Sequence, residues 1–327
     1  YGLQFLVGSV DAVTLSVVST IALGLVIFDS LTHINFRELD TFGWRALKVM
    51  FANAVLAFIA VTGISVWFGL PLLESLLLGA VLIAVNPIAL GSKSRVTELV
   101  QLESALSAPL TLLLPFAILG VWAVMNAQIM TDYTTLGLSL LNPFIIGIGT
   151  GIVLGILLLK LLHKLSARWG YIAMLLSIVL AFLLAQRLDG SGVLAVATLG
   201  IFVGASSFKQ KVRLLAKEGL LAKCVHVIVF VLMGMSLVVP FGAEIKSAVL
   251  LFAALLVTRF IVFRFVVGSR ESAFGALLGA KGLPTAVVVF ALMAQTNIDL
   301  MWVTSAVIML SVVGSWLASF ITRNHAV

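Results

Sequence analysis

Ten stretches of this 327-residue chain run for 17 to 28 residues without Asp, Glu, Lys or Arg, and the longest covers residues 104–131. About 20 apolar residues in a helix cross about 30 Å of hydrocarbon. Runs of this length, repeated along a whole chain, leave little choice of environment. Hydrophobic residues make up 62% of the sequence and charged residues 10%, against about 25% charged in soluble domains. Such a chain cannot cover a water-facing surface with polar groups. A soluble enzyme, a disordered chain and a nucleic-acid-binding domain are therefore excluded. The net charge of +7 does not restore a nucleic-acid reading, because the basic residues sit in short clusters between apolar runs.

Segment 246–268 is apolar between Lys246 and Arg264 except for Arg259, and segment 271–293, which takes in most of the run 282–298, is apolar after Glu271 except for Lys281. Together the runs predict eleven spans: 10–28, 45–68, 71–91, 97–124, 143–163, 170–187, 190–206, 217–240, 246–268, 271–293 and 300–322. Lipid admits helices or closed barrels, and the period-2 alternation of a barrel is absent. The fold class expected is an all-α integral membrane protein. Eleven crossings put 16 Lys and Arg into one set of alternate loops and only Arg187 and Lys246 into the other. The basic-rich side is cytoplasmic by the positive-inside rule, which predicts an external N-terminus and a cytoplasmic C-terminus in the cell membrane. The basic loop at 207–223 lies on that inner face, where anionic headgroups attract it. Cys224 is the single cysteine, so no disulfide forms within the chain. No secretory signal is visible, and the start at Tyr1 predicts a fragment or processed product.

Three charges fall inside spans: Glu103, Arg259 and Lys281. Each costs at least about 2.5–3.5 kcal/mol at membrane depth, so each needs a partner or a wet cavity. Glu103 and Arg259 lie about 9 and 13 Å in from the cytoplasmic ends of their spans, at 1.5 Å per residue. That similar depth predicts a buried Arg–carboxylate pair with a structural role. Span three (71–91) carries Pro87, and span ten (271–293) carries Gly279, Gly282 and Pro284. Spans one to four and eight to eleven run in opposite senses, and spans three and ten hold matching places in the two sets. Interrupted helices at matching places of inverted halves point to a transporter's binding site. The expected organisation is one membrane domain over 1–327, with inverted repeats at about 1–124 and 170–327 and a linker helix at 143–163.

At these residues the chain resembles the sodium/proton exchanger superfamily of monovalent cation:proton antiporters. VIFDSLTHINFREL at the end of span one is similar to the family's Leu-Phe-acid-Ala-Gly-Leu…Arg-Glu-Leu stretch, with Asp29 at the acidic position. Val85-Asn86-Pro87 stands where the pattern is Thr-Asp-Pro. Glu103-Ser104-Ala105-Leu106-Ser107-Ala108 stands against Glu-Ser-Leu-Leu-Asn-Asp. GSGVLAVATLGIFVG, the run Phe230–Met235, Arg259 and Lys281-Gly282 match further family motifs in order and spacing. The resemblance implies an alternating-access carrier of Na⁺ or K⁺ against H⁺, without cofactor, resident metal or enzymatic activity. It implies a lipid-embedded homodimer. It also implies twelve or thirteen spans in the complete form, so that eleven suit the loss of the first two.

The ion-site positions implied are Val85, Asn86, Pro87, Ser104, Ser107, Ala108 and Lys281, with Asp29 in an ion funnel. Here the departures matter. The family's two site aspartates are Asn86 and Ala108 in this chain. Asn and Ser hold a cation through oxygen, but neither they nor Ala can shuttle a proton. Lys281, without the site acid, must face a cavity, give up its proton or bind an anion. The alternative to exchange is thus a transport-inactive or regulatory homologue, or a carrier of a different ion. His226 reads as an interface histidine. No metal-ligand cluster, phosphate loop or nucleophile–base motif is present.

Overall fold

A computed structural model describes residues 12–32, 41–87, 95–126, 133–206, 243–266, 279–296 and 300–324, with a few isolated positions besides. Its helices are α1 (Ala12–Thr32), α2 (Thr41–Trp67), α3 (Leu72–Val81), α4 (Arg95–Asn126), α5 (Tyr133–Lys164), α6 (Ala167–Arg187), α7 (Gly192–Ala205), α8 (Ala243–Val266), α9 (Leu283–Gln295) and α10 (Met301–Asn324). Two short extended pieces, β1 (Asn86–Pro87) and β2 (Gly279–Ala280), are the strands among the described residues. The protein is an all-α multi-pass membrane protein. Five helices are long and apolar enough to cross a bilayer: Trp44–Trp67, Leu99–Met125, Leu141–Lys164, Trp169–Arg187 and Ile245–Val266. Shorter apolar helices accompany them, among them Leu72–Val81 and Pro284–Met293, which flank the two extended pieces. Large apolar side chains such as Trp67 and Phe265 are mostly exposed, as a hydrocarbon solvent allows.

The chain folds into two compact units, each assembled from separated segments. The first comprises 1–12, 36–115 and 230–327. In it α8 packs along α2 and α10, and α2 along α3. One apolar cluster joins Ala46 and Val49 of α2, Leu99 and Val100 of α4, and Val262 and Phe263 of α8 to Val85. That cluster holds Val85, which lies beyond the last helical bond of α3, from the Leu82 N–H to the Leu78 carbonyl. The second unit comprises 13–35 and 116–229, with α5, α6 and α7 packed on one another. Gly147, Gly151 and Gly155 of α5, four residues apart, let its backbone approach α7. A Cβ at Gly147 would come within 2.7 Å of the Ser191 carbonyl oxygen. With lipid offering no hydrophobic drive between helices, small residues give close van der Waals packing instead.

Predicted and observed spans agree closely for α2, α4, α6, α7, α8 and α10. α5 begins ten residues earlier than predicted and carries Pro143 inside it. α3 stops at Val81, well before Pro87. A proline crowds the preceding turn and biases the residue before it away from helical angles, and Leu82–Val85 have already left the helix. Pro284 does not interrupt α9 but stands in its first turn, where its missing N–H has no helical acceptor in any case. The predicted span 217–240, the 207–223 loop and His226 lie outside the described residues, apart from isolated positions.

Candidate ion site

α3 ends at Val81 and α9 begins at Leu283, and the short extended segments after the one and before the other meet. β1 and β2 pair antiparallel, Asn86 opposite Ala280 and Pro87 opposite Gly279. Asn86, Pro87 and Ala280 are described by their backbone alone. Non-helical backbone at membrane depth must find partners inside the protein, and here side chains supply them. Thr285 Oγ1 donates to the Val81 carbonyl (3.3 Å) and Lys281 Nζ to the Ile83 carbonyl (3.3 Å). These two groups serve the end of α3, where unpaired carbonyls carry partial negative charge. The Val85 N–H donates to Ser107 Oγ (3.4 Å), and the Lys281 N–H to Ser311 Oγ (2.8 Å). Each hydroxyl passes its own proton back to a helix carbonyl, Ser107 to Ser104 (3.2 Å) and Ser311 to Ile308 (2.7 Å).

Beside the crossing lies a buried ion pair. Arg259 Nη1 donates to Glu103 Oε1 (3.0 Å) and Nη2 to Oε2 (2.8 Å), with Glu103 fully buried and Arg259 4% exposed. Two parallel bonds of this kind are the strong, geometrically specific form of an Arg–carboxylate contact. Asn53 Nδ2 adds a third bond to Oε1 (3.2 Å). The guanidinium also stands 5.0 Å from the centre of the Phe263 ring, a cation–π distance. On the β2 side it is pressed against Gly279, where any Cβ would overlap it. Only glycine leaves room there for both the crossing and the arginine.

A family model described as "Sodium/hydrogen exchanger, transmembrane" matches residues 2–323. The chain belongs to the sodium/hydrogen exchanger family. This exchanger-family chain is 28% identical over 242 residues to the K(+)/H(+) antiporter NhaP of Alkalimonas amylolytica, covering 68% of the chain and 40% of the relative. It is 24% identical over 306 residues to the K(+)/H(+) antiporter NhaP2 of Shewanella oneidensis, covering 87% of the chain and 52% of the relative. It thus spans about half the length of the curated relatives it matches. The structure of the sodium proton antiporter MjNhaP1 from Methanocaldococcus jannaschii shares its fold. The TM-score is 0.69 at 16% identity, over 96% of this chain and 85% of that one.

In this exchanger fold the crossing brings Val85, Asn86 and Pro87 of the first break to the two residues before Lys281. Ser107 joins them through its bond to Val85. Ser104 and Ala108 lie on the same helix, half-buried. Asp29, near the end of α1, belongs to the second unit, where Gly219 lies against its carboxylate. Sequence reasoning missed Asn53, Ser311, Thr285 and the close approach at Gly279. Asn53 had a signal, being the single polar residue between Val49 and Val61 of an otherwise apolar helix. The serine and threonine roles had none, since hydroxyls are common in membrane helices and bond their own helix by default.

Proposed function

We propose that the chain is the membrane domain of a secondary active transporter that exchanges Na⁺ or K⁺ for H⁺ by alternating access, in the cytoplasmic membrane, with its N-terminus outside and its C-terminus inside. The observation that carries this reading is the antiparallel pairing of the extended segments after α3 and before α9, beside the buried Glu103–Arg259 pair. The names of the relatives, K(+)/H(+) antiporters and a sodium proton antiporter, support the cargo. Val85, Asn86, Pro87, Ser104, Ser107, Ala108 and Lys281 form the ion site in this reading. Glu103 and Arg259 brace it, Asp29 stands in a funnel toward it, and a lipid-embedded homodimer is the assembly. The inverted repeats at about 1–124 and 170–327 bring the two breaks together.

Exchange at one site needs a group that takes either a cation or a proton. Asn86 and Ala108 cannot do so, and that substitution favours a second reading, a transport-inactive or regulatory homologue. Proteoliposomes containing a trapped pH dye and pulsed with NaCl or KCl separate the two. The unmodified chain is expected to give weak cation-driven proton movement, and the Asn86→Asp/Ala108→Asp double variant a clear rise. A silent unmodified chain beside an active double variant favours the inactive homologue. Silence in both overturns the exchanger reading. Robust exchange without the double change moves the proton carrier to Asp29 or Glu103.

A further inference from the structure

Hydroxyls inside helices ordinarily return their proton to a carbonyl three or four residues back. Ser177, Thr198, Thr258 and Thr304 all do so here. Thr111 of α4 does not. It is fully buried, and among the described residues its Oγ1 has no hydrogen-bond partner. A buried hydroxyl left without a partner is costly, and folded proteins keep few of them. Ser65 is the other such hydroxyl among the described residues, but its carbonyl is engaged by the Leu70 N–H (3.1 Å). The Thr111 carbonyl is deprived as well. Its ordinary donor would be the N–H of residue 115, and that residue is Pro115, inside the helix. Proline has no N–H, and its ring crowds the carbonyl four residues back. Thr111 therefore carries two oxygens that the helix leaves without their usual partners.

The place of Thr111 on α4 ties these oxygens to the ion site. Residues four apart on an α-helix lie on one face, about 40° from one another. Glu103, Ser107 and Thr111 form such a row, and all three are buried. Glu103 faces Arg259 and Asn53, and Ser107 faces the extended segment after α3 through the Val85 N–H. Thr111 continues the row by one turn, about 5.4 Å beyond Ser107. It also stands three residues past Ala108, which makes the two neighbours on the helix surface. Position 108 has no side-chain oxygen, and one turn on Thr111 has a hydroxyl and a carbonyl.

We propose that the hydroxyl and carbonyl oxygens of Thr111 are ligands of the transported monovalent cation, one turn along α4 from the alanine that cannot hold it. Neutral oxygens of these two kinds replace part of a monovalent cation's hydration shell without a carboxylate. A divalent cation draws on carboxylates, and the buried Glu103 is already committed to Arg259. With Oγ1 closed off in this conformation, the cation reaches it in another state of the alternating-access cycle, where the cost of the unmet hydroxyl is recovered. The site depends on the exchanger reading for the identity of its cargo; the two stranded oxygens do not.

Thermal unfolding of the purified full chain in detergent tests this, with choline chloride replaced stepwise by KCl or NaCl at fixed ionic strength. A ligand bound to the folded state alone raises stability saturably, and that rise is expected with at least one of the two salts. Thr111→Val keeps the shape and removes the hydroxyl. In choline it should melt no lower than the parent, because the lost group had no partner, yet its half-saturating cation concentration should rise about tenfold or more, the worth of one contact to a charged group. Thr111→Ser should bring the half-point back. Pro115→Ala is the second probe: it returns an N–H to the Thr111 carbonyl, and should raise the half-point with the hydroxyl untouched. No cation-dependent rise in the unmodified chain would overturn the site, as would an unmoved half-point in either Thr111→Val or Pro115→Ala. A Thr111→Val chain that melts lower in choline, or does not fold, would show that the hydroxyl is bonded in the fold, and would overturn it too. The exchanger reading fails separately, since no proton movement is read here. Thr111-dependent stabilisation in a chain whose Asn86→Asp/Ala108→Asp variant moves no protons keeps the cation site and loses the antiport. An active double variant beside unmoved half-points keeps the antiport and loses the Thr111 site.

Discussion

Glu103 sits in a helix that is otherwise built for lipid, and its charge is tolerable only because three hydrogen bonds meet it. Removing one partner of such a buried pair costs about 3–5 kcal/mol, because the survivor is left charged and dry. Glu103→Gln and Arg259→Ala should each lower the melting temperature and the folded yield steeply. The double change should cost much less than the two single losses added together. Additive losses in that cycle would show that the bidentate contact contributes nothing. The depth argument that set Glu103 and Arg259 level with one another came from counting residues from the span ends, which needs only the helical rise. Asn53 was beyond that argument. A neutral amide in an apolar helix signals a partner but not which one, and the partner is 50 residues away in the chain.

At the scale of elements, glycine and proline at Pro87, Gly279, Gly282 and Pro284 marked where helices give way. They did not fix how far the unwinding runs, nor the register of Asn86 against Ala280. Register depends on which backbone groups find acceptors on neighbouring helices, and Ser107 and Ser311 settle that here. Ser107→Ala and Ser311→Ala each strand a backbone N–H. An unsatisfied buried donor costs about 1–3 kcal/mol. Both variants should therefore melt measurably lower than the parent. Ser177→Ala should melt close to the parent, since Ser177 merely returns its proton to Ala173 in its own helix. Equal melting temperatures for all three would mean that the crossing does not rely on these hydroxyls.

For the whole molecule, apolar run length was enough to establish membrane residence, since no other solvent accommodates so little charge. The division into two units built from interleaved segments was not visible in the sequence. Packing partners far apart in the chain leave no trace in run lengths. Orientation rests on the 16-to-2 split of basic loop residues. With Cys224 replaced by serine, single cysteines placed at 127–132, between α4 and α5, and at 241–242, just before α8, should react with an impermeant maleimide in intact cells. A cysteine in 207–216 should react only after the membrane is opened. Labelling of that loop from outside would reverse the orientation.

The described bonds at the crossing come from backbone groups, four hydroxyl or ammonium side chains, and an ion pair that stands to one side. None of them uses residue 108, whose alanine has nothing to offer. Residue 108 thus carries none of the mechanical support, although Ser107 beside it does. A lineage can therefore change residue 108 without removing any bond that holds the joint. One-letter changes there leave folding untouched, so a joint of this kind is free to outlast whatever chemistry is placed beside it.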